Sequence, residues 1–137
     1  MIARRFEELE AWQLARELER KVYAITETGP ASRDVEFCRQ IRRASSSSPR
    51  NLAEGFGRFL PGDFGKFVRN ALGSLNETKD HLAAGAERGY LTRQAHDELV
   101  RLLDRAIGKS VNLAKYLEGC KRTSRSRSAQ RARNRDS

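Results

Sequence analysis

Apolar residues recur at steps of three and four in four long stretches of the chain, the period of one face of a helix. In the first, from about residue 6 to 27, the repeat is Ala11, Leu14, Leu18, Val22 and Ile25. Thr28-Gly29-Pro30 stops it, because proline cannot continue a helix. The second opens near Ser32 or Asp34, either of which suits an N-cap. Its seam is Cys38, Ile41, Ser45, Ser48, Leu52, Gly55 and Phe59. Ser45-Ser46-Ser47-Ser48 is a poor helix former and Pro49 removes a backbone donor. The spacing predicts one continuous helix kinked near Pro49, with a break at the serines as the alternative. Leu60-Pro61-Gly62 makes the next turn, and a third helix follows over about 63–87 with Phe64, Val68, Ala71, Leu75, Thr78 and Leu82 inward. Gly89 suits a helix end, and Thr92 caps a fourth helix running to about Gly119, with Ala95, Leu99, Leu102, Ala106, Leu113 and Leu117 as its stripe.

No stretch alternates with period two, so no sheet is called for. Four amphipathic helices with three short connections predict an all-α fold, an up-down-up-down antiparallel four-helix bundle over residues 1–120. The 137 residues suit one domain. Charge changes the picture at the C-terminal end. Residues 121–137 hold Lys121, Arg122, Arg125, Arg127, Arg131, Arg133 and Arg135 against the single acid Asp136. Most of the net charge of +9 therefore sits there. That segment has no aliphatic or aromatic residue with which to offset ordering entropy, which predicts a disordered basic tail.

The opening residues are charged rather than apolar, and no run of about 18 apolar residues exists, so neither a secretory leader nor a membrane span is expected. Cys38 and Cys120 are far apart and in no CxxC arrangement, which predicts reduced thiols in a cytoplasmic protein without metal or cofactor.

A second line runs beside the apolar seam of the second helix and is mostly polar: Gln40, Ala44, Ser47, Asn51, Glu54 and Arg58. The third helix has a counterpart in Asp63, Lys66, Asn70, Gly73, Glu77 and Asp80, with Ser74 beside it. Such lines are a solvated face, a hydrogen-bonded helix contact or a subunit interface. Small Gly73-Ser74 favours contact. Glu54 and Glu77 could pair, but acid–base work needs a pocket and perturbed pKa values, and hydrogen bonding to Asn51, Arg43 or Arg58 is the simpler expectation. His81 and His96 have Thr78 and Arg93 three residues before them, not the glutamate of a two-metal carboxylate site. The serines lack a nucleophile elbow, and no phosphate-binding glycine loop is present. No enzyme is expected.

Arg42, Arg43, Arg50, Arg58 and Arg69 together with the basic residues of the tail could contact phosphates, with affinity falling steeply in salt. A solvated face is the plainer alternative. Aromatic residues are nearly absent outside the core pattern, so backbone binding is expected rather than base stacking.

Gln40-Ile41-Arg42-Arg43-Ala44, then Ser47, then Asn51-Leu52-Ala53-Glu54-Gly55 with Arg58, resembles the signature of the bacterial four-helix-bundle proteins also called 23S rRNA intervening-sequence proteins. Phe64-x-x-Phe67, Leu72-Gly73-Ser74-Leu75-x-Glu77, Leu9-x-x-Trp12 and Gly89-Tyr90-Leu91 match in order, over about residues 6–118. The resemblance implies a four-helix bundle assembled as a homopentamer, with no established catalysis. It further implies kinship to accessory partners of reverse transcriptases in diversity-generating retroelements, where a basic pentamer contacts nucleic acid. Ser45, Ser46 and Ser48 stand where apolar residues are commoner in that family, and the arginine-rich tail is an addition. The function expected from these signals is a homo-oligomeric protein binding RNA or DNA through arginines, in a ribonucleoprotein role that includes assisting a reverse transcriptase. The alternative is a protein-interaction scaffold with no nucleic-acid role.

Overall fold

The computed structural model of the chain describes residues 3–136, with the backbone alone for 122–127 and 136. Its described residues form helices and no strand, so the all-α expectation stands. The four long helices are α1 (Glu10–Glu27), α2 (Val35–Phe56), α3 (Pro61–Glu87) and α4 (Arg93–Asp136). Short 3₁₀ turns at Phe6–Glu8 and Pro30–Arg33 precede α1 and α2. The first helix thus starts later than its periodicity suggested, because Leu9 is extended and separates the opening turn from Glu10.

The starts of the other three helices are chemically marked. Asp34, not Ser32, caps α2 by accepting the Phe37 N–H at 3.1 Å. Pro61 takes the first turn of α3, where a missing N–H costs nothing. Thr92 caps α4 through the Ala95 N–H at 3.1 Å. Between α3 and α4, Gly89 adopts φ 76°, a left-handed turn that favours glycine.

α1 packs on α2 and α4, and α3 packs on α2 and α4. Polar contacts join the helices: Arg42 meets Thr26, Ser47 meets Ser74, Lys79 meets Asp104 and Arg69 meets Glu118. Gly55 lets α2 approach α3 closely: a Cβ there would stand 2.7 Å from Phe67 Cβ.

The core has two apolar clusters. One gathers Leu14, Leu18, Val22, Ile41, Leu75, Leu82 and Leu103, and the other Leu9, Ala15, Leu52, Phe64, Val68, Leu113 and Leu117. Along α2, the fully buried Ser45 and Ser48 lie between Ile41 of the first cluster and Leu52 of the second. Along α4, buried Ser110 lies between Ala106 and Leu113. Buried serine hydroxyls thus lie between the clusters along α2 and α4, whereas on α1 and α3 their members adjoin directly, Leu14 beside Ala15 and Ala71 one turn before Leu75.

α2 stays helical through Pro49. Proline at 49 cannot donate to the Ser45 carbonyl, and a buried unpaired carbonyl is costly. Ser48 Oγ donates to that carbonyl at 3.0 Å. The serine run, a poor helix former in isolation, thus satisfies the group that the proline orphans. The helix ends at Phe56, one turn short of Phe59, so Phe59 leaves the seam and is fully exposed with Leu60 beside it.

The segment expected to be a disordered tail is instead a continuation of α4, which runs as one helix of 44 residues to Asp136. Arginine, lysine, alanine and glutamine are good helix formers, and an existing helix needs no new nucleus. Gln130 donates to Asn134 and Arg133 to Gln130 along its surface. Residues 128–135 are exposed, and among the described residues the last buried one of α4 is Leu117.

Ser48→Ala should cost about 1–3 kcal/mol in urea unfolding, the penalty of a buried carbonyl left unpaired. In a Pro49→Ala background, where the new backbone N–H supplies the donor, the same change should cost under ~1 kcal/mol. Equal costs in both backgrounds would refute the role given to Ser48. Removing residues 122–137 should move the thermal midpoint by less than about 4 °C, since the described part of that segment touches no core residue.

Candidate nucleic-acid interface

The arginines singled out in the sequence separate into different surroundings. Arg42, Arg43 and Arg50 come together with Arg39 in a groove between α1 and α2. The groove encloses about 610 Å³ and has Tyr23 and Thr26 on its α1 wall and Ser46 and Cys38 on its α2 side. A further recess of about 400 Å³ shares Ser46 and Arg50 with it and continues toward Trp12 and Phe6. The two make one furrow along the α1–α2 face.

Arg42 is the most constrained cation there. Its Nε donates to Thr26 Oγ1 at 2.7 Å, and its guanidinium lies 4.6 Å from the centre of the Tyr23 ring. Thr26 is buried and spends its own proton on the Val22 carbonyl at 2.8 Å, so its oxygen is set to accept. Arg39 is paired with Glu36 at 2.6 Å, which holds the Glu36 carboxyl below the usual carboxylate range. Among the described residues, no carboxylate lies within 4.0 Å of the Arg42, Arg43 or Arg50 guanidinium. The groove therefore concentrates guanidinium groups, with Glu36 bonded to Arg39 and acting on Arg43 only at longer range.

The other expected contacts stand elsewhere. Arg58 pairs with Glu54 at 3.2 Å and lies 4.9 Å over the Phe67 ring, on the α3 side. Arg69 pairs with Glu118 at 3.6 Å and shares a small recess with Lys121. Arg131, Arg133 and Arg135 are exposed along the α4 extension. The side chains of Arg122, Arg125 and Arg127 lie outside the described residues.

Part of the polar line on α2 and α3 is a helix contact. Ser47 Oγ and Ser74 Oγ are hydrogen-bonded across the helices at 2.8 Å, and Asn51 Nδ2 donates to Ser47 Oγ at 3.0 Å and to its carbonyl at 2.8 Å. Ser74 also lies 3.1 Å from the Asn70 carbonyl. Gln40, Glu54 and Glu77 do not join this contact. Gln40 donates to Glu36, Glu54 faces Arg58, and Glu77 lies 3.6 Å from His81. Glu54 and Glu77 thus take separate partners, each on its own helix. Among the described residues, no three histidine, cysteine, aspartate or glutamate side chains gather as metal ligands, and no helix is long and apolar enough to cross a membrane.

Tyr23, Thr26, Arg39 and Trp12 were not anticipated from the sequence as parts of this groove. A signal for them does exist. Trp12, Arg16, Glu19 and Tyr23 step by four, three and four on α1, and Arg39, Arg43, Ser46 and Arg50 do the same on α2. These lines flank the apolar seams and meet only because the two helices pack on one another.

Residues 7–112, from the opening turn into α4, match a family described as 23S rRNA-intervening sequence protein. The chain belongs to that family. A solved structure from Bacteroides thetaiotaomicron VPI-5482, of unknown function and from the S23 ribosomal protein family, is similar with a TM-score of 0.70 at 20% identity. The similarity covers 77% of this chain and 95% of that one. At that identity it speaks for the fold. No curated protein matches the chain. The family match spans α2 and α3 whole and leaves the α4 extension beyond its end, as the resemblance read from the motifs implied.

Ser74→Ala, which removes the cross-helix bond of this family member, should cost about 0.5–1.5 kcal/mol in chemical unfolding. A cost near zero would place that bond among solvated surface contacts.

Proposed function

We propose that the protein is a homo-oligomeric nucleic-acid-binding, ribonucleoprotein accessory protein that holds phosphates through the arginines of the α1–α2 groove. The observation that carries this reading is the convergence of Arg42, Arg43 and Arg50 without a carboxylate partner, with Arg42 held in place by Thr26 and Tyr23. A pre-placed guanidinium loses less side-chain entropy when it meets a phosphate. In this reading the helices act as an up-down-up-down antiparallel bundle that supplies assembly, with a pentamer as the expected state. The basic α4 extension adds long-range attraction rather than a defined site, since its described arginines are exposed. The protein is not an enzyme, works in the cytoplasm, and assists a nucleic-acid-processing partner such as a reverse transcriptase. Family membership supports the link to RNA only through the family's name. A protein-interaction scaffold is favoured by one observation, the exposed Phe59-Leu60 tip between α2 and α3.

Fluorescence anisotropy with labelled RNA and DNA at several salt concentrations tests the reading. Affinity should fall with salt with a slope of about 0.7–0.9 per phosphate contacted. Replacing Arg42, Arg43 and Arg50 together by alanine should reduce that slope by about two to three and weaken binding at least tenfold, while deletion of 122–137 should leave binding measurable. Binding absent from the full chain, or lost with the tail and untouched by the triple substitution, would overturn it.

A further inference from the structure

We infer that the α1–α2 groove takes an unpaired strand of nucleic acid, with phosphates on Arg42, Arg43 and Arg50 and bases stacked on Tyr23 and Trp12. This deepens the phosphate-binding reading and rests on it.

The furrow has two kinds of wall. Its α2 side supplies guanidinium groups, and its α1 side supplies aromatic rings at both ends, Tyr23 beside Arg42 and Trp12 beside Pro49 and Arg50, with Arg20 and the Arg16–Glu19 ion pair between them. Tyr23 is 38% exposed and belongs to neither core cluster. Trp12 is half-buried and forms a T-shaped pair with Phe6, with ring centroids 5.2 Å apart. Cationic groups lining a track with ring faces set along it are the means by which proteins hold single strands without reading their sequence. Eleven residues of α1 separate the rings, about 16 Å by helical rise, which matches about five nucleotides at ~3.4 Å per nucleotide of a stacked strand.

A duplex does not suit this surface. Packed helices lie about 8–10 Å apart axis to axis, and the furrow between two of them is shallow and narrow. Arg42 is half-buried within it and Ser46 and Pro49 form a buried floor, so a paired cylinder would rest on the rims. A duplex also keeps its base faces inside its own stack, leaving Tyr23 and Trp12 nothing to meet. An acidic peptide would satisfy the arginines and leave the rings without a role.

The test uses the full chain, a short fluorescein-labelled oligothymidylate, the same strand paired with its complement, and polyglutamate as competitor. Trp12 is the chain's only tryptophan, so its emission reports on that end of the groove. The single strand should bind more tightly than the duplex and quench Trp12 emission. Tyr23→Ala should weaken single-strand binding by about 5- to 100-fold, the range for loss of one stacked base, while Tyr23→Phe retains it. Arg42→Ala should weaken it and lower its salt slope, with helicity and light-scattering mass unchanged.

Equal affinity for strand and duplex, with Tyr23→Ala affecting neither, would overturn the single-strand assignment and leave phosphate binding intact. Absence of binding to both would overturn the two readings together. Polyglutamate competing as well as the unlabelled strand would identify an acidic peptide site, and a changed mass in Arg42→Ala would identify a contact between copies. Either result overturns the assignment.

Discussion

A proline inside a helix leaves one carbonyl without a partner, and in a buried helix that carbonyl must be bonded or the helix must break. Here the Ser48 hydroxyl bonds the Ser45 carbonyl that Pro49 cannot reach. The continuity of α2 depends on this substitution of a side-chain donor for a backbone one. A break there would turn its second half by an arbitrary angle, and each line of side chains along the helix would lose its partner.

α2 carries three such lines at once. Cys38, Ile41, Ser45, Ser48, Leu52 and Gly55 face the core, Ser47, held by Asn51, meets Ser74 of α3, and Arg39, Arg43, Ser46 and Arg50 border α1. Each line repeats at three and four residues and is offset by about one position from the next. An unbroken helical twist carries all three from one end of the molecule to the other. The groove of arginines, the hydroxyl contact and the apolar clusters are therefore three readings of a single register.

Much of this was legible in the chain. The inward positions of α1, α3 and α4 follow from periodicity, and Asp34, Pro61, Gly89 and Thr92 mark the ends they were expected to mark. Two things escaped. Phe59 keeps the seam's spacing, yet the helix ends at Phe56 and the residue points to solvent, because spacing alone does not say where a helix stops. The segment after Cys120 has no apolar residue larger than alanine to bury, which argued for disorder, but its helix-forming residues follow a helix already nucleated. For the candidate interface, Arg42, Arg43 and Arg50 were visible as charges, whereas their grouping with Tyr23 and Thr26 required the packing of α1 on α2. The partners of Arg58 and Arg69 likewise emerge only from side-chain placement.

The buried hydroxyls of Ser45, Ser48 and Ser110 have a thermodynamic consequence. Hydrophobic cohesion between two apolar clusters depends on the apolar surface they share, and these serines reduce that shared surface. On α1 and α3 the clusters adjoin directly, Leu14 beside Ala15 and Ala71 one turn before Leu75. Cohesion between the two ends of the core is therefore carried on the α1 and α3 side and thinned on the α2 and α4 side, where the serines stand.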